Sequence, residues 1–166
     1  TDAPGAAGLT IAGTVRSGLA PDPLVAPSAS AAPVTITLTG TPGNPPGTLF
    51  IGDAAAPNTV LAGSSVVLGT TGAIVQAPSS SIVANQFSAT GDSVVLQGTN
   101  SIASLGALTA ANGITLNNQG AALTLTAPVN AGAGVLTLNV GDVQQTAAGV
   151  VTAGANWPAA ARAGWT

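Results

Sequence analysis

The sequence predicts an all-β fold, a parallel β-helix (β-solenoid) with coils of about 20–25 residues. Three observations carry the prediction. An aliphatic–Thr/Val–aliphatic triplet recurs as Val94-Val95-Leu96, Ile114-Thr115-Leu116, Leu123-Thr124-Leu125 and Leu136-Thr137-Leu138. From Val94 to Ile114 is 20 residues, and from Ile114 to Leu136 is 22. The strands are short and closed by Gly, Asn or Pro, too short for an ordinary sandwich. Wound as coils, such strands stack at about 4.8 Å per coil, and each coil buries its face against the next.

The elements follow in order. Residues 1–46 are Pro-rich (Pro4, Pro21, Pro23, Pro27, Pro33, Pro42, Pro45, Pro46), with strands expected at Leu9–Val15 and Val34–Thr39. Proline has no N–H to donate and sits at strand ends and turns, so the pieces between read as connectors. The Ala/Pro/Ser stretch Ala20–Pro33 reads as a linker or strap. Residues 47–156 form the solenoid body, with strands at Thr48–Ile51, Ser65–Leu68, Ala73–Gln76, Ser81–Ala84 and Ser93–Gln97 before the later triplets. Alternation puts Ile114, Leu116, Leu123, Leu125, Leu136 and Leu138 inside and Thr115, Thr124 and Thr137 outside. Gly91, Gly98, Gly106, Gly113, Gly120 and Gly141 are expected at corners needing positive φ. Asn100, Asn112, Asn117 and Asn118 are expected at corners as residues that tolerate left-handed geometry. Residues 157–166 leave the pattern as a tail or cap, with a helical turn expected at Ala159–Ala163.

Composition narrows the function. Hydrophobic residues make up 46% of the chain, which separates it from disordered sequences, and charged residues only 4%. The cations are Arg16 and Arg162 alone, so phosphate neutralisation is excluded and no nucleic-acid partner is expected. A polybasic membrane contact is excluded on the same ground. No apolar run approaches the roughly 20 residues of a spanning helix, so no membrane span is expected. No Met and no charged segment opens the chain, so a secretion signal is read as absent or removed. With so little charge, self-association is the expected behaviour.

The repeats also carry a resemblance. Asn100-Ser101-Ile102-Ala103-Ser104-Leu105-Gly106, Ala110-Ala111-Asn112-Gly113-Ile114-Thr115-Leu116 and Leu123–Gly132 resemble repeats of filamentous-haemagglutinin-like large exoproteins of Gram-negative bacteria. Those repeats pair an N-x-I-x-x-L-G phrase with A-x-x-G-[FI]-x-L and then L-T-L-x-x-x-[VI]-x-A-G. The resemblance covers Leu96–Gly154 and not the Pro-rich first third. It implies a right-handed β-helix, secretion to the cell exterior or surface, and a role in adhesion or fibre formation.

Reactive chemistry is poorly provided for. With no His, Lys or Cys, nothing is present to activate the many Ser hydroxyls, so no enzyme activity is expected. Asp53, Asp92 and Asp142 each follow Gly, and their spacing allows one shared edge with neighbours about 10 Å apart, as a carboxylate pair needs. The plainer reading is a turn, with the carboxylate capping a backbone N–H. No metal or cofactor is expected, because no cluster offers six to eight oxygens or Cys/His ligands. Thr35-Ile36-Thr37-Leu38-Thr39 and Thr124-Leu125-Thr126 invite an ice-binding reading, weakened by Val67, Val83 and Val95 at equivalent places.

The expected function is a structural extracellular protein, a filament, sheath or adhesin stalk built by head-to-tail self-assembly into a homo-polymer. Other surface proteins or glycans are further candidate partners, and a glycan- or ice-binding solenoid module is the alternative. Candidate assembly contacts are Val34, Ile36 and Leu38, an alternating strand read as a donor to the neighbour's sheet, and Trp157 and Trp165, read either as a docking pair or as a plug for the open core.

Overall fold

The computed structural model describes residues 8–16, 32–39, 47–53, 55 and 58–154. Among these there are strands and turns but no helix. The first rung holds β1 (Leu9–Ile11), β2 (Thr14–Arg16) and β3 (Val34–Leu38); the second holds β4 (Leu49–Ile51) and β5 (Val60–Thr70). The third holds β6 (Ile74–Gln76) and β7 (Ser81–Gly91), and the fourth β8 (Val94–Leu96) and β9 (Ser101–Ala110). The fifth holds β10 (Ile114–Asn117), β11 (Leu123–Leu125) and β12 (Val129–Asn130), and the last β13 (Leu136–Asn139), β14 (Val143–Gln145) and β15 (Val151–Thr152). All pairings are parallel, and the chain is a β-solenoid of about five turns.

One sheet runs β1-β4-β6-β8-β10-β13. Its register is unbroken: Leu9, Leu49, Ile74, Val94, Ile114 and Leu136 form one column, and Thr10, Phe50, Val75, Val95, Thr115 and Thr137 the next. The triplet is thus the strand of this first face, with its flanking aliphatics inside and its middle residue outside. Steps of 25, 20, 20 and 22 residues from Leu49 to Leu136 set the coil length.

The second sheet, β14-β11-β9-β7-β5-β2, carries two more faces. β5, β7 and β9 run along both, and their alternation breaks midway: Asn85 and Gln86 are consecutive and both exposed, so the chain bends there. β2 covers the first half of β5 and β3 the second. In the fifth rung Pro128, which has no N–H for a ladder, stands where β9 had run on, and the strand divides into β11 and β12.

Inside, Leu61, Val66, Leu68, Ile82, Phe87, Ile102, Leu105, Leu108, Leu123, Leu125 and Val129 join the first face in one continuous core. Ile114, Leu116, Leu123 and Leu125 are buried as expected; Leu136 and Leu138 are only half-buried, because no rung lies above them among the described residues. Thr137 is exposed, whereas Thr115 and Thr124, outward between neighbouring rungs, are half-buried.

Several sequence expectations change. Within the Pro-rich first third, the described strands β1, β2 and β3 pair with β4 and β5 as a first rung of the stack. The strand expected at Leu9–Val15 is two strands turned at Gly13, whose φ is 86°. None of the four corner asparagines is left-handed; among described non-glycine residues only Gln119 has positive φ. Of the six corner glycines named from sequence, Gly113 and Gly120 have positive φ. Gly98 is required for another reason: a Cβ there would collide with the Ser80 carbonyl oxygen.

Candidate functional site

Three features could carry chemistry: the polar corner between the first and second faces, the carboxylates, and the two ends of the stack. The corner holds Thr59, Ser80, Asn100 and Asn118, all buried, with Gln76 beside them. Asn100 Oδ1 accepts from Ile82 N at 2.9 Å and from Gln76 Nε2 at 2.7 Å; its Nδ2 donates to Gln76 Oε1 at 3.0 Å and to the Asn117 carbonyl at 2.9 Å. Gln76 Oε1 also accepts from Gly98 N at 3.1 Å. One rung on, Asn118 accepts from Ile102 N and donates to Ile102 O, both at 2.9 Å. These amides serve as substitute backbone where the chain turns and the ladder would lose its partners. The corner is therefore occupied by structural hydrogen bonding.

The carboxylates do not share one edge, contrary to the spacing argument. Asp53 and Asp142 lie at the turn from first to second face, but in the second and last rungs; Asp92 lies at the turn from third face to first. Asp53 and Asp142 are thus four rung spacings apart, about 19 Å at the usual strand spacing. Asp53 Oδ1 accepts from Ala55 N at 2.8 Å, the turn-capping geometry, and Asp92 Oδ1 accepts from Asn112 Nδ2 at 2.7 Å. Among the described residues no three His, Cys, Asp or Glu side chains come together as metal ligands.

The ends offer surfaces instead. Among the described residues, β1, β2 and β3 at one end are each paired on one side only, with Ile11, Val15 and Ile36 half-buried and Leu9 41% exposed. At the other, β13, β14 and β15 are likewise edge strands, with Leu136, Leu138, Val140, Val143 and Val151 half-buried and Val135 and Val150 exposed at 54% and 53%. Among the described residues, each edge combines unpaired backbone groups with an incompletely covered core, the combination that templates another strand.

The sequence-named contacts fall unevenly on this picture. Val34 is buried and Ile36 and Leu38 half-buried, all in β3. That strand is not a free arm for donation: Val34–Leu38 pairs in parallel with Val66–Thr70 of its own chain. Trp157, Trp165 and the turn at Ala159–Ala163 lie outside the described residues, as does Ala20–Pro33 apart from its last two positions. Sequence reasoning missed β13, β14 and β15 as an edge set; the signal was that Leu136-Thr137-Leu138 is the last triplet of its kind.

Comparison with protein-family models, with curated proteins and with solved structures gave no match for this chain. Its class rests on the fold: a parallel β-solenoid.

Proposed function

We infer that the chain is a structural building block of a bacterial surface filament, sheath or adhesin stalk, growing by head-to-tail stacking of identical copies outside the cell. One observation carries the reading: the two ends present the same register. The column beginning at Ile36 passes through Leu68, Ala89, Leu108 and Val129 to Val151, with one register shift, between Phe87 and Ala89 where β7 meets β9. On the first face the columns run from Leu9 to Leu136 and from Ile11 to Leu138. A second copy placed on β13, β14 and β15 meets them with strands of the same spacing and pattern, extending both the ladder and the core. Such a heterologous contact does not close on itself, so it grows a fibre. The extracellular setting rests on the resemblance of Leu96–Gly154 to exoprotein repeats.

Negative-stain microscopy of the purified chain, with sedimentation over a concentration series, tests the reading. Unbranched fibres with a critical concentration are expected; a monomer at high concentration sinks it. Deleting residues 1–39 is an ambiguous test, since it removes the first rung and leaves the β4 and β5 edge as a new end.

The glycan- or ice-binding alternative rests on one outward column of the third face, Thr37, Gly69, Thr90, Thr109, Asn130 and Thr152. Gly69 and Asn130 interrupt its hydroxyls, so it supports this reading less well. Thermal hysteresis and glycan-array binding are its measurements.

A further inference from the structure

We propose that Gln145 is the gatekeeper of the stack: an amide at a core position of the last rung that weakens docking of the next copy and so sets the concentration at which chains assemble. The proposal rests on the head-to-tail reading above and names the residue that regulates its contact. The register carries one inward column along the chain, from Val34 through Val66, Phe87, Leu105 and Leu125 to Gln145. Every member before the last is buried and apolar. Gln145 lies two residues beyond Val143, which packs against the core, and is paired with the fully buried Leu125. Its side chain therefore starts from the inner side of the wall. In the last described rung it is exposed.

At the same end Leu136, Leu138, Val143 and Val151 continue core columns as aliphatics. Gln145 is the exception. The wall holds another inward amide, Gln76, in the column between Ile51 and Leu96. Gln76 can be buried because Asn100 and Gly98 N meet both ends of its amide. Gln145 has no such partner among the described residues. A copy stacked turn for turn continues the column with Val34, whose side chain has no polar atom to offer. Covering β14 then strips the Gln145 amide of water and returns no hydrogen bond, where a leucine would extend the core. Polar groups set inward on an edge strand oppose further pairing. The end thus attracts a copy along its aliphatic positions and resists it at one.

A substitution series on the full chain tests this, read as the critical concentration for ordered fibres. Q145L should lower that concentration about ten-fold or more, because the last interruption of the core is removed. Q145K should raise it by at least as much, since a charge is costlier to bury than an amide. Q144L changes the outward neighbour and should leave it within about two-fold. Q145A removes the amide and adds no apolar bulk, so it keeps the test open if Q145L aggregates before folding, which circular dichroism reports. Fibres of Q145L and Q145A at the parental concentration, or an equal effect of Q144L, overturn the proposal while the stacking reading stands. A parent that stays monomeric while Q145L forms fibres supports the gate and overturns the reading of the parent as a filament. If neither forms fibres, both fail.

Discussion

Gln76 and Asn100 hold each other by two reciprocal amide hydrogen bonds across adjacent rungs, at 2.7 and 3.0 Å, in a site where both side chains are almost fully buried. Each also satisfies a backbone N–H, Gly98 for Gln76 and Ile82 for Asn100. Replacing either leaves several buried groups without partners, each costing about 1–3 kcal/mol. N100A and Q76L are therefore expected to destabilise by about 2–4 kcal/mol in urea unfolding. Equal stability of wild type and N100A would show that the corner does not depend on this pair.

Burial depth should grade the core. L96A and L116A remove fully buried side chains with a rung on either side and should cost about 2–5 kcal/mol. L136A, in the half-buried last rung, should cost roughly half as much in the monomer. Assembly covers that rung, so the gap between L136A and L96A should narrow in fibres, which chemical denaturation of both species measures.

Gly98 and Gly120 separate two uses of glycine. G98A drives a methyl group into the Ser80 carbonyl oxygen and against the Gln76 amide, so a loss of more than about 2 kcal/mol is expected. G120A meets open space but sits at φ 70°, where an L residue costs about 1–2 kcal/mol. Thermal unfolding of the pair checks the order; a larger loss at Gly120 contradicts it.

D53N and D92N should each change stability by less than about 1 kcal/mol, because an amide oxygen still accepts from Ala55 N and from Asn112 Nδ2. Neither should alter fibre formation. A large effect of D53N or D92N on assembly would point to a contact surface along the sides of the solenoid.

The first face was legible in the sequence because its strands are isolated triplets bounded by breakers, and their spacing is the coil length itself. β5, β7 and β9 were less so. Ala62-Gly63-Ser64 and Ala84-Asn85-Gln86 have low strand propensity, yet neighbouring rungs on both sides hold them extended. Asn100 and Asn118 were correctly placed at corners for the wrong reason: their value is an inward amide, not a left-handed backbone. The shared edge that spacing allowed for Asp53, Asp92 and Asp142 failed because coil length alone does not say which of three corners a residue occupies.

The unshifted columns of the first face have a consequence for how such a chain changes in size. Val94 to Gly113 is one complete circuit that begins and ends at equivalent points of the wall. Duplicating that segment would insert a further storey about 4.8 Å tall whose neighbours above and below already match it. Removing it would shorten the tower by the same amount and rejoin compatible surfaces. Height is thus decoupled from the rest of the architecture, and a gene encoding this wall can lengthen by copying its own text.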